Sequence, residues 1–265
     1  MLASDTDHIG LAAGLTQAVR EAGALALRTF NAQLKHWTKG KDSPVSEADI
    51  AVDRLLRERL LALGPDYGWL SEETEDNLLR LSAHRLWVVD PIDGTRAYIA
   101  GLPDWTISVA LVESGRPVMA AVYAPVAEEF FFAAATAGAT CNDRPITVSA
   151  GEGVRGARIA GPRRTIDRLV EAEPEIVVEP RIHSLALRFA RVAQGRLDAA
   201  LAAGNSHDWD LAAADLLVHE ADGALTTLAG ERLIYNRSEP RHGPLIAAGR
   251  SRHRALSELL RERQI

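Results

Sequence analysis

The most informative stretch of the sequence is WVVDPIDGT, residues 87–95. Its apolar start predicts a strand that ends at Asp90, where the following proline forces a turn that leads into a short helix. Asp90 and Asp93 can converge on a hard cation, which prefers oxygen ligands. The backbone N–H groups of Gly94 and Thr95 would point to an anion such as phosphate. The stretch therefore predicts metal-assisted phosphoryl chemistry, with an ordinary Asp-Pro and Asp-Gly turn as the alternative.

Two other acidic segments favour the metal site over the ordinary turn. Glu72 and Glu73 follow the apolar pair Trp69-Leu70, and a glutamate at the end of a strand would reach the same cations. Asp210 lies in the first turn of a predicted helix. Each segment has an ordinary alternative, a solvated acidic loop for the glutamates and helix capping for Asp210. One shared metal site explains these carboxylates together, whereas the alternatives need a separate coincidence for each.

Composition and charge narrow the class of protein. The chain has 265 residues, of which 47% are hydrophobic and 25% charged, the balance of an ordinary globular protein. The net charge of −6 argues against a nucleic-acid partner. Cys141 is the only cysteine, which excludes a disulfide framework and a cysteine-based metal site. The sequence begins without a signal-peptide pattern, and no apolar run has membrane length, so we expect a cytoplasmic protein with no membrane partner.

Hydrophobic periodicity predicts a mixture of helices and strands. Helices are predicted over residues 9–30, 46–63, 184–194, 209–221 and 252–263. Strands are predicted over residues 87–90, 107–112, 118–124, 129–134, 146–148, 158–160, 176–178, 197–201 and 244–248. The helices and strands do not alternate strictly as β-α-β along the chain, which favours a layered α+β or mixed-sheet architecture over a barrel. Because the sequence has no internal repeats and no long linker, we expect two halves, residues 1–145 and 146–265, that pack together as one body.

The motifs together resemble those of the inositol monophosphatase family of metal-dependent, lithium-sensitive phosphatases. The resemblance rests on DPIDGT at 90–95, SEE at 71–73 and WDLAAADLLVHEADG at 209–223. SPVSEAD at 43–49 and GRLDAALAAGNSHDWD at 195–210 extend it. The resemblance implies an α/β fold of five layers, an αβαβα sandwich, and often a homodimer. It also implies a phosphoric monoester hydrolase that acts on a small phosphorylated metabolite.

The resemblance carries specific metal ligands over to matching positions of this chain. The first Mg²⁺ would be held by Glu72, Asp90 and the carbonyl oxygen of Ile92. The second would be held by Asp90, Asp93 and Asp210. A third, looser ion would lie near Glu72, and Mn²⁺ is a possible substitute for Mg²⁺.

The catalytic and substrate-binding residues are implied in the same way. Thr95 would orient the attacking water and is paired with Asp49, and Glu73 is the neighbouring carboxylate. An alternative for Asp49 is purely local, because Ser46-x-x-Asp49 also fits a capping box. The residues expected to contact phosphate or substrate are Asp93, Gly94, Thr95, Ser184 and Asp210.

The substrate prediction depends on departures from the inositol-hydrolysing pattern. Ala202 stands where those relatives place a glutamate that binds the ring, and Asp208-Trp209-Asp210 is closer to the 3'(2'),5'-bisphosphate nucleotidase branch. The preferred substrate is therefore 3'-phosphoadenosine 5'-phosphate. Residues 161–164, with Arg181, would meet a second phosphate or adenine, or form a solvated basic loop. Inositol 1-phosphate, other sugar or polyol phosphates and histidinol phosphate are alternatives, as is a non-catalytic binding subunit.

Overall fold

The computed structural model of the chain describes residues 5–32, 35–39 and 43–263. Within these ranges the helices are α1 (Asp5–Thr29), α2 (Glu47–Leu63), α3 (Thr95–Ile99), α4 (Arg163–Ala172), α5 (Leu185–Ala193), α6 (Asp208–Glu220) and α7 (Arg250–Glu262). The strands are β1 (His36–Lys39), β2 (Ser43–Ser46), β3 (Gly68–Ser71), β4 (Arg85–Asp93), β5 (Thr106–Glu113), β6 (Arg116–Ala124), β7 (Glu129–Ala134), β8 (Gly138–Cys141), β9 (Arg144–Pro145), β10 (Arg158–Ala160), β11 (Val177–Val178), β12 (Ala199–Ala202), β13 (Ser206–His207), β14 (Gly223–Thr227), β15 (Arg241–His242) and β16 (Leu245–Gly249). A 3₁₀ helix covers Leu79–Ser82.

Two large sheets organise these strands. A seven-stranded sheet has the order β3-β4-β5-β6-β7-β8-β9, in which β3 and β4 are parallel and the other neighbours antiparallel. A five-stranded sheet has the order β11-β10-β12-β16-β14, in which β10 runs parallel to both of its neighbours. Two short ribbons, β1-β2 and β13-β15, complete the strand pairing of the described residues.

The seven-stranded sheet is covered by helices on both faces. Along β4, Trp87 and Val89 belong to the core formed with α1 and α2, whereas Leu86 and Val88 belong to the core formed with α5 and α6. Successive side chains of a strand point to opposite faces, so both sets are buried. This explains why strands such as β5 and β6 are continuous apolar runs rather than alternating ones.

The five-stranded sheet is also covered on both faces. Leu245 and Ala247 of β16 belong to the core with α5 and α6, and Ile246 and Ala248 belong to the core with α4 and α7. The order of layers is therefore α1/α2, the seven-stranded sheet, α5/α6, the five-stranded sheet and α4/α7. The predicted five-layer αβαβα sandwich is confirmed. None of the helices within the described ranges has the length and apolar character of a transmembrane helix.

Some predicted elements differ from those of the structure. The strand predicted at residues 146–148 is absent, because the segment crosses from one sheet to the other and Val148 N–H donates to the carbonyl of Ala221, at the end of α6, at 3.0 Å. Helix α4 was not predicted, since only Ile166 and Leu169 of its residues are buried. The division into halves at residue 145 stays a prediction.

Candidate active site

The DPIDGT segment forms a corner at the end of β4. The strand does not end at Asp90, as predicted, but continues to Asp93 through a shift in its pairing with β5. Asp90 lies opposite Ser108 and Asp93 opposite Thr106, so β4 carries one extra residue between the two pairs. Such a bulge bends the strand and redirects its side chains, and a proline within it removes a ladder hydrogen bond. The bulge, rather than a turn, brings Asp90 and Asp93 together.

A glycine after the bulge lets the chain enter α3. Gly94 has φ +92°, a conformation that L side chains rarely adopt. A Cβ at this position would lie 3.1 Å from the backbone nitrogen of Ser184 and 3.2 Å from the carbonyl oxygen of Asp104. The corner is therefore packed directly against the residue that precedes α5.

Three aspartates form what we call the carboxylate cluster: Asp90, Asp93 and Asp210. Each contributes one oxygen, and these oxygens all lie within 4.8 Å of one another. Asp90 and Asp93 are buried, and the Asp210 side chain is 23% exposed. The bulge of β4 and the first turn of α6 thus bring together ligands that are far apart in the sequence.

Electrostatic repulsion within the cluster is strong. Burial raises the pKa of Asp90 well above its usual value, and the charges of Glu72, Asp93 and Asp210 raise it further. Burial, with the charge of Asp210, also raises the pKa of Asp93 to about 7, although hydrogen bonds from Ser184 and the backbone oppose this. A divalent cation would relieve the repulsion, and carboxylate oxygens are the ligands that hard cations prefer. The donor set therefore fits such an ion.

The segment of residues 71–76, called here the acidic segment, approaches the cluster from the end of β3. The charge of Glu72 raises the pKa of Asp90, although Glu72 is not one of the three carboxylates whose oxygens lie within 4.8 Å of one another. Glu72 and Glu73 are both partly buried, and the Glu72 N–H donates to the carbonyl of Val89 at 3.3 Å. The solvated acidic loop considered as an alternative therefore does not describe these two glutamates.

Sequence reasoning missed the residue that holds this segment, Asp53 of α2. Its Oδ1 accepts a hydrogen bond from the Ser71 hydroxyl at 2.5 Å, and its Oδ2 accepts one from the Thr74 hydroxyl at 2.9 Å. A sequence signal was present, because Asp49 and Asp53 are four residues apart and share one helix face. Both side chains lie on the buried face of α2.

Asp49 completes the helix cap and also contacts Thr95, and its catalytic role stays a prediction. Its Oδ2 accepts the backbone N–H of Ser46 at 2.8 Å and the Ser46 hydroxyl at 2.6 Å, which completes the capping box of α2. Its Oδ1 lies 3.1 Å from the Thr95 hydroxyl, which is also 3.0 Å from the carbonyl oxygen of Ile92. Burial raises the pKa of Asp49, and the bonds from Ser46 and Thr95 oppose this. The cap and the contact with Thr95 use different oxygens of one carboxylate.

Ser184 lies behind Asp93 rather than against a substrate. Its hydroxyl is fully buried, donates to Asp93 Oδ2 at 2.6 Å and accepts the backbone N–H of Leu187 at 2.9 Å as the cap of α5. The N–H of Ala186 donates to the same Asp93 oxygen at 2.7 Å. This differs from the direct substrate contact that was predicted, because the hydroxyl hydrogen is already used to orient Asp93.

A cavity of about 730 Å³ opens beside the cluster. Arg163 is the first residue of α4 rather than a loop residue, and it lines this cavity with its side chain 93% exposed. The cavity wall combines aspartates of the cluster with basic and small residues: Asp93, Asp210, Arg163, Arg181, Arg188 and Ala202. The structure therefore places guanidinium groups and the carboxylate cluster around one space.

Arg188 is a cavity residue that sequence reasoning missed. Its guanidinium donates to the carbonyl oxygens of Ile182 at 2.6 Å and Leu201 at 3.1 Å. Burial lowers its pKa, and its Nε has no hydrogen-bond partner among the described residues. Its position on α5, four residues after the Ser184 cap, was the available signal.

The fold and the acidic site together define a class of layered phosphatases, and comparisons with known proteins agree. A family model described as the inositol monophosphatase family matches residues 8–264. The chain is 37% identical to inositol-1-monophosphatase of Rhizobium meliloti (strain 1021) over 231 residues, which are 82% of this chain and 85% of that protein. It is 29% identical to 3'(2'),5'-bisphosphate nucleotidase CysQ of Salmonella typhimurium, over 84% of this chain and 93% of that protein.

Solved structures lead to the same class. The structure of extragenic suppressor protein suhB from Bartonella henselae superposes with a TM-score of 0.84 at 29% identity, covering 94% of this chain and 97% of that one. The chain belongs to the inositol monophosphatase family. It is a phosphoric monoester hydrolase, as the motifs predicted, and its family needs a divalent metal.

Proposed function

We propose that the chain is a Mg²⁺-dependent phosphomonoesterase that uses metal-activated water and forms no covalent intermediate. The observation that carries this proposal is the set of three carboxylate oxygens within 4.8 Å of one another, beside a cavity of about 730 Å³. Bound Mg²⁺ lowers the pKa of a coordinated water and offsets the negative charge of a phosphate.

The proposed ligands are those that the family resemblance implied. Glu72, Asp90 and the carbonyl oxygen of Ile92 would hold one ion. Asp90, Asp93 and Asp210 would hold a second, with a third, looser ion near Glu72 and Mn²⁺ as a possible substitute. The Ile92 carbonyl accepts the Thr95 hydroxyl at 3.0 Å, and a carbonyl oxygen has a second lone pair for a cation.

Thr95 and Asp49 would orient the attacking water. The Thr95 hydroxyl donates toward Asp49 or the Ile92 carbonyl, so its lone pairs are free to accept a hydrogen from water. The raised pKa of Asp49 makes its carboxylate a better proton acceptor than an exposed aspartate. Glu73 keeps its proposed role as the neighbouring carboxylate. Gly94 and Thr95 would direct backbone N–H groups at the phosphate.

The preferred substrate is 3'-phosphoadenosine 5'-phosphate. Arg163, Arg181 and Arg188 line the same cavity as the cluster, so a second phosphate would meet guanidinium groups. Ala202 offers no carboxylate to the hydroxyls of an inositol ring. The CysQ relative, named as a 3'(2'),5'-bisphosphate nucleotidase, supports this choice. Inositol 1-phosphate is the second candidate, because the relative at 37% identity is named for that activity.

Initial rates on 3'-phosphoadenosine 5'-phosphate, inositol 1-phosphate and histidinol phosphate test the substrate. We expect Arg181→Ala to raise the KM for the bisphosphate about 10-fold, because one charge-assisted hydrogen bond to the second phosphate is lost. The KM for inositol 1-phosphate should change little. Arg164→Ala is the matched control, since Arg164 is exposed and does not line the cavity. Faster hydrolysis of inositol 1-phosphate, with equal effects of Arg181→Ala on both substrates, would show that the bisphosphate assignment is wrong.

The family resemblance supports the assembly and lithium sensitivity proposed here, and composition and charge support the location and the excluded partners. We infer a homodimer in the cytoplasm that is inhibited by lithium and binds neither membranes nor macromolecular nucleic acid. The alternative of a non-catalytic binding subunit has no support from the carboxylate cluster, in which each of the three expected aspartates is present.

A further inference from the structure

Arg80 is a buried cation that bridges two segments distant in sequence. It lies in the 3₁₀ helix Leu79–Ser82 and is 2% exposed. Its Nε and Nη2 donate to the two carboxylate oxygens of Asp76 at 3.0 and 2.7 Å. Its Nη1 donates to Asn236 Oδ1 at 2.8 Å and to the carbonyl oxygen of Arg237 at 3.0 Å. The planar guanidinium thereby joins the acidic segment to the loop before β15.

Asn236 continues the connection to helix α6. Its side-chain nitrogen donates to the Arg80 carbonyl at 3.1 Å, and its backbone N–H donates to Asp208 Oδ2 at 2.8 Å. The other oxygen of Asp208 is 2.7 Å from His242 Nε2. Asp208 is fully buried and is the first residue of α6, in the same turn as Asp210.

These contacts form a continuous path between two parts of the proposed metal site. At one end, Asp76 closes the acidic segment, whose other end is held by Asp53 through Ser71. Glu72 lies between these two anchors. At the far end of the path, Asp208 fixes the helix turn that carries Asp210. Asp90 and Asp93 need no such connection, because the pairing of β4 with β5 already fixes them.

We propose that Arg80, with Asn236 and Asp208, is a positioning network that fixes Glu72 relative to Asp210 before a cation binds. The inference rests on the metal ligands of the proposed function. Arg80 does not line the cavity beside the cluster, so it acts on the ligands and not on the substrate. Loss of the network separates ligands that come from distant segments, which lowers affinity for the cation and leaves kcat at saturating cation nearly unchanged.

Direct Mn²⁺ binding, measured by calorimetry on the whole chain, tests the network. We expect Arg80→Met to raise the Kd for Mn²⁺ about 10-fold, the lower end of the effect of groups that orient metal ligands. Arg85→Met is the matched control. Arg85 donates to Glu113 Oε2 at 2.6 Å and to the Tyr67 hydroxyl at 2.9 Å, at the start of β4 and away from the ligands. A purely structural role predicts lower thermal stability and unchanged Mn²⁺ binding in both variants.

Asn236→Gly provides a second test that does not depend on the folding of Arg80→Met. The glycine keeps the backbone N–H to Asp208 and accepts the φ of +58°, but removes both side-chain bonds to Arg80. We expect the Kd for Mn²⁺ to rise about 3-fold, less than for loss of the guanidinium. Unchanged Mn²⁺ binding in Asn236→Gly overturns the network. Failure of the parent protein to bind Mn²⁺ contradicts the proposed metal function instead.

Discussion

Aspartates around the corner of β4 divide into two groups with opposite surroundings. In the carboxylate cluster the side chains face one another: Asp90, Asp93 and Asp210. In the second group, which we call the paired aspartates, both oxygens of each side chain are bonded to protein groups: Asp53, Asp76 and Asp208. Hydrogen bonds also reach the cluster, from Ser184 and Ala186 to Asp93 and from the His207 N–H to Asp210. The pKa of Asp93 is raised by burial and Asp210, whereas the Arg80 guanidinium lowers the pKa of Asp76.

The difference shows that burial and residue type do not define an aspartate's role, whereas its partners do. Asp208 and Asp210 are two residues apart in one helix turn, yet the first is held by His242 and Asn236 and the second faces the cluster. The carboxylates of the cluster repel one another, and a bound cation would relieve that repulsion. The paired aspartates hold the surrounding segments in place, so removing a charge is expected to lower stability in that group and activity in the cluster.

The largest expected effect is the loss of activity in Asp93→Asn. Removing one anionic ligand should lower kcat/KM on the order of 10³-fold, which corresponds to about 4 kcal/mol of transition-state stabilisation. The fold should persist, because an asparagine oxygen can still accept the bonds from Ser184 and Ala186. Steady-state rates and a thermal melt without metal check both parts. Turnover near that of the parent protein would overturn the ligand assignment.

The second largest expected effect distinguishes a loss of stability from a loss of activity at two aspartates in the same helix turn. Asp208→Asn should lower the free energy of unfolding by about 2 kcal/mol, because an amide cannot accept from both His242 and Asn236. Asp210→Asn should change that free energy by about 0.5 kcal/mol or less and abolish most activity. Urea unfolding with a metal chelator present, beside rate measurements, makes the comparison. Equal stability losses in the two variants would remove the distinction between the groups.

The sequence predicted best what is decided locally. Three features depend only on neighbouring residues: the capping box of Ser46 and Asp49, the apolar runs of β5 and β6, and the DPIDGT motif. The first two predicted a helix and two strands that the structure contains, and the third predicted two aspartates that lie in the carboxylate cluster. Resemblance of the motifs then supplied the layer order that periodicity alone left open.

The missed features depend on partners far away in the chain. Asp53 contacts Ser71 and Arg80 contacts Asn236, and the spacing of Asp49 and Asp53 or of Asp76 and Arg80 along the chain does not reveal these distant partners. The bulge that replaced the predicted strand end at Asp90 is visible only against β5. Ser184 has the residue type of a substrate contact, and only the tertiary structure shows that its hydroxyl is used on Asp93.

The smallest expected effect is a pH dependence of stabilisation by Mg²⁺. Without metal, Asp93 has its pKa raised to about 7 from an ordinary value of 3.8, so the native state holds a proton that the unfolded state has lost. Stability without metal should therefore fall as pH rises from about 4 to 7, since the native state binds more protons there. Mg²⁺ competes with that proton, and its stabilising effect should grow over the same range.

Thermal melts with Mg²⁺ or with a chelator, between about pH 5 and 8, measure this growth, which we expect to reach a few degrees. At saturating Mg²⁺, Asp208→Asn should keep the pH dependence, because all the carboxylates of the cluster are retained. Asp93→Asn should weaken it, because Asp93 no longer titrates and Asp90 still has a raised pKa. If Mg²⁺ stabilises the parent protein equally at both ends of the range, repulsion between the cluster carboxylates is not what the cation relieves. The contrast between the two groups of aspartates would then rest on hydrogen bonding alone.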